Sequence, residues 1–142
     1  MNIDWGAASK HDGSGGSPGF RLWISSLAWQ RRLNAALTQF DLTQPQFSTL
    51  AVVGWLTRSG EGVSQREIAD FSRMERMHVS KTVRALEAAG LIIREASPDD
   101  ARALRVALTT TGADRLAETL PAVEACDEDF FRSPEWLAPR PF

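Results

Sequence analysis

The chain has 142 residues, 43% of them hydrophobic, and its 16 basic and 18 acidic residues leave a net charge of −2. That is one domain's worth of material with a modest core, and the single cysteine excludes an internal disulfide framework. No apolar run approaches the roughly 20 residues that span a bilayer, and no secretory pattern opens the chain, so a cytoplasmic protein without a membrane partner is expected.

Residues 1–19 are polar and glycine-rich, closing on HDGSGGSPG, and predict a disordered tail. From Phe20 the pattern turns helical. Phe20, Trp23, Ile24, Leu27, Leu33 and Leu37 form an apolar stripe broader than one small domain needs, which points to contact with a second subunit. Asp41-Leu42-Thr43 breaks this helix, and Thr43 with Pro45 starts another. In that second helix Phe47, Leu50, Ala51, Val53, Gly54 and Leu56 are expected to be largely buried, with Trp55 at its edge. A loop with two glycines, residues 58–62, follows.

Ser64 stands three residues ahead of Glu67, the spacing at which hydroxyl and carboxylate each satisfy a free backbone N–H at a helix start. Ile68 and Phe71 give a short apolar stripe, and Ser72-Arg73-Met74 ends the helix after about two turns. A further helix begins at once: Val79, Val83 and Leu86 fall on one buried face, and Gly90 supplies the left-handed cap. Arg76, Met77, His78, Ser80, Lys81 and Arg84 are then left on the outer face. Residues 73–84 carry four basic side chains (Arg73, Arg76, Lys81, Arg84) against one acidic (Glu75), a local +3 on a chain of −2. A short helix-turn-helix with a basic outer face suits the major groove of double-stranded DNA, although charged faces are often merely solvated.

Leu91-Ile92-Ile93-Arg94 reads as a strand, and Leu104, Val106 and Leu108 alternate with Arg105 and Ala107 as another. Ser97-Pro98-Asp99 turns between them. The pair forms a hairpin beside the basic helix, a wing.

The order REIAD, VSKTVRALEAAGLIIR, DDAR and ALTTTG resembles the MarR family of bacterial transcriptional regulators over about residues 20–131. The resemblance implies a mainly α fold with a small β-hairpin wing: a winged helix-turn-helix with flanking dimerisation helices, acting on double-stranded DNA as a homodimer. It implies that Arg102 enters the minor groove, where a narrow A·T-rich duplex concentrates negative potential. Asp100 would hold the wing in shape, and Arg94 would join the wing's DNA contacts. A small-molecule effector pocket is implied between the dimerisation helices and the winged-helix lobe. Trp23, Trp29, Phe47 and Trp55 are its candidate lining, or else core and interface aromatics.

Thr109 or Thr110 caps a last helix, with Ala113, Leu116, Ala117, Leu120, Val123 and Cys126 on one face and Pro121 expected to bend or interrupt it. Cys126 lies among Glu124, Asp127, Glu128 and Asp129, which would raise its pKa, and is expected to be structural. Residues 132–142, RSPEWLAPRPF, depart from the family: three prolines (Pro134, Pro139, Pro141) forbid the long helix usual there and put the dimer in question, with Trp136 and Phe142 as substitute anchors.

No residue set suits catalysis. Neither His11 nor His78 has a ligand partner at metal spacing, and HExxH, CxxC, GxSxG and phosphate-cradling glycine motifs are absent, so no metal and no cofactor are expected. The function expected is a sequence-specific double-stranded-DNA-binding transcriptional regulator, a ligand-responsive repressor. The alternative is an interaction module of the same fold with weakened dimerisation and no stable specific DNA binding.

Overall fold

The computed structural model describes residues 1–11 and 13–132. The proline-rich end from 133 onward, with Trp136 and Phe142, lies outside the described residues. The helices are α1 (Trp5–Ala8), α2 (Pro18–Leu37), α3 (Gln44–Leu56), α4 (Gln65–Ser72), α5 (Arg76–Ala88) and α6 (Thr110–Arg132), with strands β1 (Ile92–Ala96) and β2 (Leu104–Leu108) between α5 and α6. Among the described residues two compact units result: residues 1–36 and 123–132 make one, and Leu37–Ala122 makes the other.

In the second unit, α3 starts as its sequence demands. Thr43 caps it, a reciprocal hydrogen-bonded box links Thr43 and Gln46, and Pro45 sits where a missing N–H costs nothing. Phe47, Leu50 and Val53 are buried, and Thr49 with them. The chain then meets Ser64, whose backbone N–H donates to the Glu67 carboxylate at 2.7 Å while its hydroxyl accepts from the Glu67 N–H at 3.1 Å. α4 lasts eight residues and ends where Arg73 adopts a left-handed φ of 62°. Its buried pair is Ile68 and Ala69; Phe71, expected inside with Ile68, is 54% exposed. On an eight-residue helix one apolar step suffices, and packing chose the residue next to Ile68.

α5 buries Val79, Thr82, Val83 and Leu86. It ends as Gly90 turns to φ 74°, with Leu91 N–H donating to Leu86 O at 2.9 Å and Gly90 N–H to Glu87 O at 2.9 Å. β1 and β2 pair antiparallel, Ile92 opposite Leu108 and Ala96 opposite Leu104, so the hairpin runs from a buried root to an exposed tip. Val63 adds a short bridge to the other side of β2, exchanging hydrogen bonds of 2.9 and 2.6 Å with Val106. That bridge places the start of α4 against the wing.

Thr109 caps α6, accepting from Gly112 N–H at 3.0 Å, and its own N–H and hydroxyl reach back to Leu91 O (3.1 Å) and Gly90 O (2.6 Å). Gly112 is thereby pressed on the Leu91 carbonyl, and this contact sets the helix's rotation. Gly112, Leu116, Thr119, Val123 and Phe130 face inward, whereas Ala113, Ala117 and Leu120 of the expected face are exposed. α6 runs through Pro121 without ending there, so of the bend or interruption expected at that proline the interruption does not occur.

In the first unit α1 is capped by the Asp4 carboxylate on Ala7 N–H at 3.2 Å, and a 3-10 turn follows at Ser14–Gly16. Trp29 Nε1 donates to Asp127 at 2.7 Å, and the Arg32 guanidinium binds Asp129 at 2.6 Å and lies over the Phe130 ring at 5.8 Å, which ties α2 to the last turns of α6.

A methyl group at Gly112 would collide with the Leu91 carbonyl. Alanine in place of glycine gains about 1 kcal/mol in a helix by propensity, but overpacking against backbone costs about 1–3 kcal/mol or more, so the collision wins. Gly112→Ala is expected to lower Tm measurably in thermal denaturation, and an unchanged or raised Tm would contradict the packing described.

Candidate nucleic-acid interface

The outer face of α5 is built by subtraction. With Val79, Val83 and Leu86 fully buried, Arg76, Met77, His78, Lys81 and Arg84 are exposed and Ser80 is half-buried. The Ser80 hydroxyl accepts from Arg84 Nη2 at 2.9 Å, and Thr82 turns its hydroxyl inward to His78 O at 2.8 Å. Met77, His78, Lys81 and Arg84 line one shallow depression. Gln65, Arg66, Arg76, Met77 and Ser80 line another. The first turn of α4 thus brings Gln65 and Arg66 to the recognition surface, two residues that helical periodicity within α5 could not supply.

The wing tip is held by its own backbone. Ser97 N–H donates to Ala103 O at 2.7 Å, Ala103 N–H to Asp100 O at 3.0 Å, and the Asp100 carboxylate accepts from Arg102 N–H at 2.9 Å. Asp100 therefore shapes the turn on which Arg102 stands, and the Arg102 side chain is exposed. Among the described residues, none takes the side chain of Arg76, Lys81 or Arg102 in a hydrogen bond or ion pair.

Arg94 behaves otherwise. Its Nε and Nη2 donate to Glu87 Oε2 at 3.0 and 2.6 Å, which fastens β1 to α5. That hydrogen bond holds the Glu87 carboxyl below the usual carboxylate range and raises the Arg94 guanidinium. The pair fixes where the Arg94 guanidinium lies, with Nη1 still free of Glu87. Arg105 does the same for β2, reaching Gly62 O at 3.1 Å and Glu67 at 3.2 Å. Each wing strand is pinned to one helix of the helix-turn-helix, and neither Glu87 nor Arg105 stood out in the sequence. The i, i+7 spacing of Glu87 and Arg94 crosses a helix end and a turn, so no helical rule pairs them.

The four aromatics expected around an effector each have an intramolecular neighbour. Phe47 is in the core, Trp55 is half-covered by Arg58, whose guanidinium lies 4.1 Å over its ring, Trp23 is tilted against Phe20 at 5.8 Å, and Trp29 holds Asp127. Cys126 is a free thiol with its pKa raised, first by burial and then by Asp127. Among the described residues no group of three or more His, Cys, Asp or Glu is arranged for a metal, and no helix is long and apolar enough to cross a membrane.

A short helix pair whose second member shows a basic face, flanked by a pinned hairpin with an arginine at its tip, defines a winged helix-turn-helix protein. Residues 42–104 match the model of the MarR family. The chain is 42% identical over 123 residues to the uncharacterized HTH-type transcriptional regulator YdcH of Bacillus subtilis (strain 168), covering 87% of this chain and 84% of that one. It is 31% identical over 121 residues to a putative transcriptional regulatory protein for the hcr operon of Thauera aromatica, covering 84% and 70%. Among solved structures, the transcriptional repressor CouR bound to a 23-mer DNA duplex matches with a TM-score of 0.71 at 27% identity, covering 91% of this chain and 84% of that one. CouR from Rhodococcus jostii RHA1 bound to p-coumaroyl-CoA matches with a TM-score of 0.71 at 26% identity, covering 81% and 78%. The chain belongs to the MarR family, and it is a transcriptional regulator rather than an enzyme.

Glu67 carries a pH prediction. The Ser64 N–H, then the Ser64 hydroxyl, hold its carboxyl below the ordinary range against a small burial cost, and Arg105 adds to the effect. A depressed folded pKa means the stabilisation is complete above the unfolded carboxylate pKa and is lost as pH falls through the folded one. Glu67→Gln keeps the box geometry and removes the charge, so it should cost less than about 1 kcal/mol at neutral pH, given the exposure of the site. In Tm measured against pH, the gap between the variant and the parent is expected to close on acidification; a gap that widens would contradict this account.

Proposed function

We propose that the protein is a sequence-specific double-stranded-DNA-binding repressor that acts as a homodimer in the cytoplasm and is released by a small-molecule effector. The observation that carries the DNA-binding reading is the set of unengaged cations, Arg76 and Lys81 on α5 and Arg102 on the wing tip, on a chain whose other wing arginines are consumed internally. Cations left unpaired on a net-negative chain are suited to phosphate oxygens and base edges. The α5 face, with Arg76, Met77, His78, Ser80, Lys81 and Arg84, enters the major groove, and Arg102 on its Asp100-shaped turn enters the minor groove. A two-fold dimer would bring two such units to half-sites about one helical turn apart. The exposed apolar Leu22 and Trp23 of α2 are suited to burial in it. The repressor and effector parts rest on CouR, a repressor solved with DNA and also with p-coumaroyl-CoA.

Arg102→Ala is expected to weaken binding to a selected duplex by about 1–3 kcal/mol, and Lys81→Ala to reduce the slope of log K against log salt by about 1 per protomer. A monomer whose affinity stays near generic basic-patch binding, and which neither substitution changes in a gel shift at moderate salt, would establish the interaction-module alternative instead.

Glu87→Gln separates two electrostatic effects of opposite sign. Removing a negative charge near the duplex should tighten binding through long-range Coulomb attraction, whereas loosening Arg94 frees β1 and with it the wing. One exposed charge in water contributes little, so the loss of the wing's attachment is expected to win and binding to weaken. Fluorescence anisotropy titration checks the sign: tighter binding would leave the Arg94–Glu87 pair without a positioning role.

A further inference from the structure

Met77 is the second residue of α5 and is 85% exposed, more than any other large apolar side chain in Leu37–Ala122. It contributes nothing to the core, and it lies within a stretch of four basic residues and one acidic. It lines both depressions of the recognition surface, with His78, Lys81 and Arg84 on one side and Gln65, Arg66, Arg76 and Ser80 on the other. A thioether there can neither neutralise a phosphate nor donate to a base edge. The one apolar group that a base pair displays in the major groove is the 5-methyl of thymine. An unbranched, polarizable side chain with three rotatable bonds can follow that methyl while the surrounding cations fix the helix on the backbone.

We propose that Met77 is a specificity-determining residue that reads a thymine 5-methyl group in each half-site. The inference rests on the DNA-binding reading above. It divides the labour on α5: Arg76, Lys81 and Arg84 supply charge and hydrogen bonds, and Met77 supplies the single apolar contact.

The test uses the full chain. Duplexes are selected from a random library, and each thymine of the selected half-site is replaced in turn by uracil, which removes only the methyl. One replacement is expected to weaken the parent protein by about three- to five-fold, the value of one buried methyl. The same replacement is expected to leave Met77→Ala unaffected, while that variant keeps the parent's Tm and salt slope. A selected, tightly bound duplex with a flat uracil scan overturns this inference alone, as does a uracil loss equally large in Met77→Ala. Failure to select any duplex overturns the DNA-binding reading and this inference with it.

Discussion

Four residues in two short segments fasten the recognition helix, the wing and α6 at one point. The Leu91 carbonyl accepts from Thr109 N–H at 3.1 Å and has Gly112 pressed against it, while the Thr109 hydroxyl holds Gly90 O at 2.6 Å. Gly90 can stand there because its φ of 74° suits a residue without a side chain, and that turn also closes α5 through the Leu91-to-Leu86 bond. Helix end, strand start and helix start are consequently one hydrogen-bonded unit. The last residue of β2, Leu108, immediately precedes Thr109, so the wing's two roots are bound at the place where α5 stops. A shift of α6 along its axis would have to pass through this junction before reaching the recognition helix.

Charge on the surface divides along the same lines. Arg94 and Arg105 are paired with Glu87 and Glu67 and hold the strands to α5 and α4. Arg76, Lys81 and Arg102 have no such partner among the described residues. The two groups do different work, because an exposed ion pair contributes little energy yet restricts where a hairpin can lie, whereas an unpaired cation adds nothing to the fold and is available to an anion. The net −2 of the whole chain is no obstacle, since the potential at a groove is set by charges within about a Debye length.

Local chemistry makes much of this legible in the sequence. Ser64 with Glu67, Thr43 with Pro45, and Gly90 were readable because a cap is decided by neighbours in sequence, and the buried stripe of α5 because three β-branched or leucine positions recur at helical spacing. What failed was decided at a distance. Phe71 and Ala69 exchange roles because α4 is too short for periodicity to fix which side is inside. The buried face of α6 is rotated because Gly112 must meet Leu91, a contact 21 positions away in sequence. The Arg94–Glu87 pair was not legible because it joins a strand to the end of the preceding helix across a turn. The Asp100-to-Arg102 bond, two residues long, was anticipated as wing-shaping, and its geometry agrees.

The junction and the charge division together constrain how any effector could act. A ligand that only neutralised Arg76 or Lys81 would compete directly with DNA and need no conformational change. A ligand bound elsewhere has to act through differential affinity for two arrangements, and within Leu37–Ala122 the recognition helix and wing are too closely cross-linked to be those arrangements separately. Two ion pairs, a bridge at Val63 and the Leu91 contacts hold the wing to α5, α4 and the start of α6, so moving it against all three would break several of them together. The lower-cost variable is the distance between the recognition units of two protomers, each moving whole. For the ligand-released dimer proposed above, leverage would then fall on the helices outside the helix-turn-helix, and substitutions that weaken the wing's attachments should lower DNA affinity with and without ligand alike.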